Sequence, residues 1–567
     1  MANTFSLPPG DGLPASVHSI KSPALAALLL GAFSLVLPAQ ISPAQRRVDF
    51  EQLAGSVAKA YAPYQWKIDT FSYDALQIEP WLSRVAAAPD DLAYFEICME
   101  YIASLRDLHS GFFLHSDFLA WAPVDADLYD GKALIDNIIR SRLPESRYPF
   151  QAGDELVSVD GQTASEWMDY ASRLQSFANP RATRRWALDQ ILYRYQDVLP
   201  RAAQTGDTAR IVVRRASTGA LETYDIPWIK SGTPLTAIGP VPTPKAAAAM
   251  TAAAVEATPP GRASLATRRT PAFKRVRGFG AVRPLFNLPS DFVLRYGRNF
   301  ADPIYSGTYK SGGFTIGYLR IPQFSSSARS SLLRALDTEI AYLRANTDGL
   351  VLDVMRNPGG DVCLTNEALL RFIPYPFRTV GDELRPTLDI VDVFRQDYQY
   401  ALEDGADPVT LAYLKGFLWD VETAYHEYRG ITGPLPICGF SLDLYPGAAP
   451  AYDKPMIVLI DEFSTSSADV FPAVLQDANR ALMVGMATAG GGGLSTQERI
   501  GFYSEASVAL SISLGVRARD VFIENIGVHP DIEIDLMTRA NLMNGGRDFV
   551  DGFTIAIVEH IRRSSTP

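Results

Sequence analysis

Residues 457–477 read Ile457-Val-Leu-Ile-Asp-Glu-Phe-Ser-Thr-Ser-Ser-Ala-Asp-Val-Phe-Pro-Ala-Val-Leu-Gln-Asp477. The apolar run from Met456 to Ile460 ends in a serine-rich turn, and helical spacing begins at Ala468. An uninterrupted apolar strand is one buried on both faces, as in parallel sheets. A helix starting at the end of such a strand aims its first N–H groups at the C-terminal edge of the sheet. A hydroxyl presented there is what a serine nucleophile with an oxyanion hole requires. Serine is also a preferred helix N-cap, and capping is its commoner use. On this segment alone both readings stand.

Working outward, the pattern repeats. Phe314-Thr-Ile-Gly-Tyr-Leu-Arg-Ile and Gly349-Leu-Val-Leu-Asp-Val read as strands, Ser330–Asn346 and Leu364–Ile373 as helices, and Ala481-Leu-Met-Val as a further strand. Such alternation predicts an α/β layer architecture over 301–567, interrupted by a partly helical insertion at about 375–450. The strand at 349 runs into Arg356-Asn-Pro-Gly-Gly360. Gly359 and Gly360 let the backbone approach a ligand closely and point N–H groups at a developing oxyanion. A plain βα turn is the other reading.

Upstream, residues 45–117 carry helical spacing that stops at Asp107-Leu-His-Ser-Gly111. Residues 118–232 carry the parts of a β-rich module. Gly153-Asp-Glu-Leu-Val-Ser-Val-Asp-Gly161 alternates into an Asp-Gly turn, and 209–226 holds a second hairpin around Ser217-Thr-Gly. Residues 233–300 read as a basic, Ala/Pro-rich flexible linker. At the start, 23–39 is one apolar run behind Lys21, short for a membrane span, with small residues following. Residues 1–44 therefore read as a signal peptide cut near Ala39 or Ala44, giving a secreted or periplasmic product with no stable membrane insertion afterwards.

The 567 residues are 47% apolar and 20% charged with net charge −11, which excludes wholesale disorder and argues against sequence-independent nucleic-acid binding. Three cysteines, Cys98, Cys363 and Cys438, exclude a Cys-rich zinc site and allow one disulfide at most. No His-Glu-x-x-His motif appears, so no metal or other cofactor is expected. Among six histidines, His109 stands out by its place between helix and strand. Glu524 lies in the apolar stretch Val521-Phe-Ile-Glu-Asn-Ile-Gly-Val-His-Pro-Asp-Ile, where a carboxylate needs a partner: an imidazole, or one of many arginines.

In order along the chain, the Arg-Asn-Pro-Gly-Gly turn, the Asp-Glu-Phe-Ser-Thr-Ser-Ser-Ala-Asp segment, Leu-Gln-Asp, Arg-Ala-Leu-Met-Val-Gly and Glu-Asn-Ile-Gly-Val-His-Pro-Asp-Ile together resemble the S41 peptidases, the tail-specific or C-terminal processing family. The resemblance implies a ClpP/crotonase-like core, and it implies that 118–232 is the PDZ domain many members carry. It places the nucleophile at Ser466, two residues after Ser464 and eleven before Asp477. Members with a Ser–Lys dyad carry a lysine where this chain has Gly491. The chain is in this respect similar to the tricorn core and the chlamydial protease-like factor, which use Ser, His and Glu. That similarity implies His109 as general base and acid and Glu524 as the group orienting it. A serine precedes the His in the tricorn group; here it is Leu108, so the link to Glu524 runs directly or through a water. The Ser467 N–H, with one from Gly359 or Gly360, would hold the oxyanion.

The expected function is a serine endopeptidase acting on protein or peptide substrates, recruited by strand addition to the PDZ-like module; a homodimer stays open. The alternative is an inactive peptide- or small-ligand-binding protein on the same scaffold. No Gly-x-Ser-x-Gly elbow surrounds Ser466, which argues against an α/β-hydrolase.

Overall fold

The structure, a computed structural model, describes residues 41–235 and 276–565 apart from 440, 448, 449, 500, 505 and 519. Most of the leader (1–40) and the central part of the linker (236–275) lie outside the described residues.

A seven-stranded sheet organises the C-terminal half, in the order Val293–Tyr296, Tyr305–Ser311, Phe314–Arg320, Gly349–Asp353, Met456–Ile460, Leu482–Gly485, Ile532–Glu533. The first two pairings are antiparallel, and from Phe314–Arg320 onward the strands run parallel. Alternate residues of the central strands face opposite layers. Leu350, Leu352, Met456, Val458 and Ile460 pack with the helices Arg329–Asn346, Val362–Leu369 and Ser467–Asp477. Val351, Ile457 and Leu459 pack with Phe549, Phe553 and Ile557 of the helix Arg547–Ser565. Both faces are covered, which is why residues 350–352 and Met456–Ile460 are apolar at every position.

The N-terminal region is helical, with helices Pro43–Ala60, Tyr64–Phe71, Glu79–Ala86 and Asp91–Ala103. The first begins inside the expected 1–44 leader. Ser42 caps it, Ile41 is buried, and Ala44 lies in its first turn. A sheet ordered Val124–Tyr129, Lys132–Ile138, Glu155–Val159, Thr208–Arg214, Leu221–Pro227 follows, with the helices Ala164–Leu174 and Pro180–Leu192 between its third and fourth strands. One hydrophobic cluster runs through the N-terminal helices and this sheet and takes in Phe463, Ala489, Val508 and Leu510 from the C-terminal half.

Part of 276–300, which composition assigns to the flexible linker, is packed against the core. Phe286 is buried against Phe549 and Phe553, and Val293–Tyr296 forms the edge strand of the main sheet. The insertion contributes two helices, Leu388–Glu403 and Pro408–His426, and the strand Gly381–Leu384, which pairs with Ser513–Val516. A disulfide joins Cys363 to Cys438, and Cys98 is buried and free.

Candidate active site

Two neighbouring parallel strands, Gly349–Asp353 and Met456–Ile460, end side by side, so the glycine turn and the serine turn meet at the C-terminal edge of the sheet. They are tied to each other. Arg356 N–H donates to Asp461 Oδ1 at 2.8 Å, Thr465 N–H to Asn357 O at 3.0 Å, and Ser464 Oγ–H to Val354 O at 2.9 Å. Gly359 has φ +78°, and a Cβ there would lie 2.5 Å from Thr465 O and 2.8 Å from Ser466 Cβ. Only glycine permits that approach.

Ser466 has φ 58° and ψ −120°, outside helix and strand geometry. For a residue with a Cβ such a conformation costs on the order of 1–3 kcal/mol, and the surroundings must enforce it. Here they do: the Ser466 N–H donates to Asp469 Oδ2 at 2.8 Å, and Gly359 presses from the other side. The result is a strained strand-to-helix elbow without flanking glycines. Its glycine comes from the adjacent turn, which motif reading cannot see.

Of the expected oxyanion donors, Gly359 is excluded, because its N–H donates to Asn357 Oδ1 at 2.8 Å. The N–H groups of Gly360 and Ser467 have no hydrogen-bond acceptor among the described residues. Ser467 Oγ–H donates to Gly360 O at 2.9 Å and locks the two turns together.

The run Gly490–Gly493 is the hub that draws the remaining candidates in. Gly490 and Gly491 N–H groups donate to the two oxygens of Asp469 at 2.9 and 3.3 Å, beside the Ser466 turn. Asp469 is buried, which pushes its carboxyl up to about 6 against four lowering hydrogen bonds. Leu108, the residue before His109, packs on Gly491, where a Cβ would lie 2.6 Å away. Asn525, the residue after Glu524, donates its N–H to Gly490 O at 2.9 Å and its side-chain amide to Arg106 O at 2.8 Å.

His109 is buried, its backbone N–H donates to Asp107 Oδ1 at 2.7 Å, and its Nδ1 has no hydrogen-bond partner among the described residues. Burial pushes its imidazole below the ordinary 6.5, opposed by the Asp107 carboxylate, so the neutral form is favoured. No direct hydrogen bond joins Glu524 to it among the described residues. Its Oε1 accepts from Lys67 Nζ at 2.9 Å, in a pair 5% and 2% exposed. Burial, then the Asp107 charge, push the Glu524 carboxyl up to about 8, with Lys67 opposing. Sequence reading offered Glu524 an imidazole or an arginine as partner; the structure pairs it with the ammonium of Lys67. Lys67 was missed because it stands 457 positions from its partner in an unremarkable helix.

Beside Ser466 opens a cavity of about 720 Å3 bounded by Gly359, Gly360, Ser467, Gly492, Gly493 and residues of the insertion.

Residues 315–534 match the family model "Peptidase family S41". A protein of Chlamydia trachomatis is 28% identical over 298 residues, covering 47% of this chain and 49% of its own. A Chlamydia pneumoniae protein is 23% identical over 600 residues, covering 91% of this chain and 90% of its own. This chain thus spans about half the length of the first of these curated relatives and most of the second. The solved structure of mature CPAF complexed with lactacystin superposes with TM-score 0.73 at 23% identity, over 92% of this chain and 99% of that one, which establishes a shared fold.

Proposed function

Through residues 315–534 this chain belongs to peptidase family S41, and we propose that it is a serine endopeptidase with Ser466 as nucleophile. The observation that carries this reading is the strained Ser466 at the sheet's C-terminal edge, held against Gly359. A merely structural cap has no use for a disfavoured backbone.

In this reading neutral His109 takes the proton of Ser466 Oγ as the oxygen attacks a peptide carbonyl. The Gly360 and Ser467 N–H groups receive the oxyanion; one such donor is worth about 3–4 kcal/mol. His109 then returns the proton to the leaving amine, and a water deprotonated by His109 hydrolyses the acyl-enzyme. Glu524, once ionised beside Lys67 as pH rises toward 8, stabilises the imidazolium through its charge. The 118–232 module fits a PDZ-like role in presenting substrate segments, and the 23–39 run fits export to a secreted or periplasmic site.

The test treats the full chain, and a Ser466→Ala version, with a fluorophosphonate probe and an unstructured protein substrate. Labelling and cleavage are both expected to vanish with Ser466→Ala, with a loss of about 10^6 in rate. Labelling that persists in Ser466→Ala overturns the assignment. A second reading, a binding protein on the same scaffold, draws on the unpartnered His109 Nδ1 and on Glu524 being engaged by Lys67. Folded protein that neither labels nor cleaves would favour it.

A further inference from the structure

The cavity beside Ser466 has an apolar wall and one buried carboxyl. Phe394 and Phe417, from the two helices of the insertion, pack with ring centroids 4.6 Å apart. Ile437 and Leu494 complete that side. Tyr413 also lines it, its OH donating to Pro436 O and Ile437 O at 2.9 and 3.0 Å. The disulfide from Cys363 to Cys438 fastens this wall to the helix that follows the Gly359-Gly360 turn.

Asp382 stands in this lining, 4% exposed. Its backbone exchanges two hydrogen bonds with Leu435, each 3.0 Å, so the residue is fixed. Its Oδ1 accepts from Ser513 Oγ at 2.7 Å, and its Oδ2 has no hydrogen-bond partner among the described residues. Burial pushes the carboxyl up to about 7, with the Ser513 hydrogen bond opposing. The other charged groups on the cavity are Asp361 and Arg329, and Arg329 is engaged by Asp361 at 3.4 Å and by Glu367. Among the described residues, no cation is therefore directed at Asp382. A half-satisfied carboxyl in an apolar wall is costly unless its partner arrives from outside.

The spacing suits a substrate residue. Ser513 Oγ also accepts from Leu494 N–H at 2.7 Å, while Gly491 N–H binds Asp469 beside the nucleophile turn. Those anchors are three positions apart, a span of at most about 11 Å.

We propose that this cavity is the specificity pocket of the Ser466 site and that it takes a lysine or arginine side chain of a protein substrate. The apolar stem lies along Phe394 and Phe417, where aromatic faces also favour a cation. The charged tip meets Asp382 Oδ2 in a charge-assisted hydrogen bond. An apolar substrate residue of equal length fills the same space but leaves the carboxyl unpaired. The inference rests on the reading of Ser466 as nucleophile, and its test separates the two.

Four peptides, alike except for lysine, arginine, norleucine or glutamate at one position, are given to the full chain, and kcat/KM is compared. Their Kd values are measured in parallel on Ser466→Ala protein. Lysine and arginine are expected to exceed norleucine by about 10^2, because discrimination is strong where a built polar partner goes unmet. Asp382→Asn, which keeps the size of the side chain, is expected to bring that ratio below about 10 in both assays. A denaturant unfolding curve checks that this variant is folded, and the wild-type ratios decide the matter even if it is not. Cleavage that depends on Ser466 but shows a flat series overturns the pocket and leaves the peptidase standing. Lysine-selective binding without any cleavage sinks the peptidase reading and leaves the pocket. Failure of all four peptides to bind, or binding without preference, overturns the pocket.

Discussion

Ser466 sits on a turn whose backbone groups are nearly all engaged, whereas His109 and Glu524 sit where polar groups outnumber the partners that fit them. The serine side is assembled from two adjacent strand ends and cross-tied by Arg356, Asn357, Ser464, Thr465 and Ser467. The other side gathers Lys67, Asp107, His109, Asp469 and Glu524 into one buried neighbourhood holding more carboxylates than cations. The first arrangement fixes Ser466 at a cost in backbone strain. The second fixes charge states, because burial sets each group's proton affinity against its neighbours. The difference teaches that geometry at this site is a property of the sheet edge, while acid–base behaviour is a property of distant segments packed together.

The sharpest way to break this contrast is at Lys67. Lys67→Met leaves Glu524 buried without its cation and is expected to cost about 3–5 kcal/mol in denaturant unfolding, whereas Lys67→Met with Glu524→Gln recovers most of it. The loss should grow with pH. The folded Glu524 carboxyl, at about 8, lies above its ordinary 4.5, so its contribution is full below 4.5 and is lost as pH rises through 8. Unfolding curves at pH 5 and pH 9 check the sign; a Lys67→Met cost that is larger at pH 5 would refute the account.

A second test loosens the cavity wall and leaves both halves intact. Cys363 and Cys438 are 75 positions apart, for which loop closure is worth up to about 4 kcal/mol. Replacing both by serine is expected to lower stability by about 2–4 kcal/mol. It should raise KM more than it lowers kcat, since the insertion forms the cavity wall and not the Ser466 turn.

Gly491→Ala probes the hub. Its Cβ would lie 2.6 Å from Leu108 Cβ, next to His109. Overpacking of this kind costs about 1–3 kcal/mol. The expected signature is a fall in kcat with fluorophosphonate binding to Ser466 less affected; equal loss of both would show that the two sides are not separable.

The smallest effect expected is in the pH profile. If Glu524 serves His109 through its charge, kcat/KM should climb as the carboxyl ionises near pH 8, by less than about tenfold. Glu524→Gln should flatten that step, and a profile that keeps it would remove Glu524 from the chemistry.

Much of this was legible in the chain. The apolar runs at 349–353 and 456–460 announce strands covered on both faces, and the two turns after them belong together because parallel neighbours end at the same edge. The serine turn, His109 and Glu524 stand out in their segments, and the family resemblance picks Ser466 within that turn. What was not legible involves partners remote in sequence. Nothing near Asn357 says that its side chain takes the Gly359 N–H, and nothing near Lys67 points to Glu524. Composition also misassigned 276–300, since basic residues and prolines there conceal Phe286, which fills the core against the last helix.

By itself the sequence determined the layering, the order of strands and helices in the C-terminal half, and the location of the serine and glycine turns. Those follow from apolar periodicity and turn chemistry, which are local. Only the tertiary structure decided that Ser466 is strained, that among the described residues Gly360 and not Gly359 has its N–H free, that Glu524 pairs with Lys67, and that Asp382 lies in the wall of the cavity beside Ser466. Each of these depends on which distant groups are brought into contact and desolvated together, and a buried polar group's hydrogen bonds and proton affinity are set by that company.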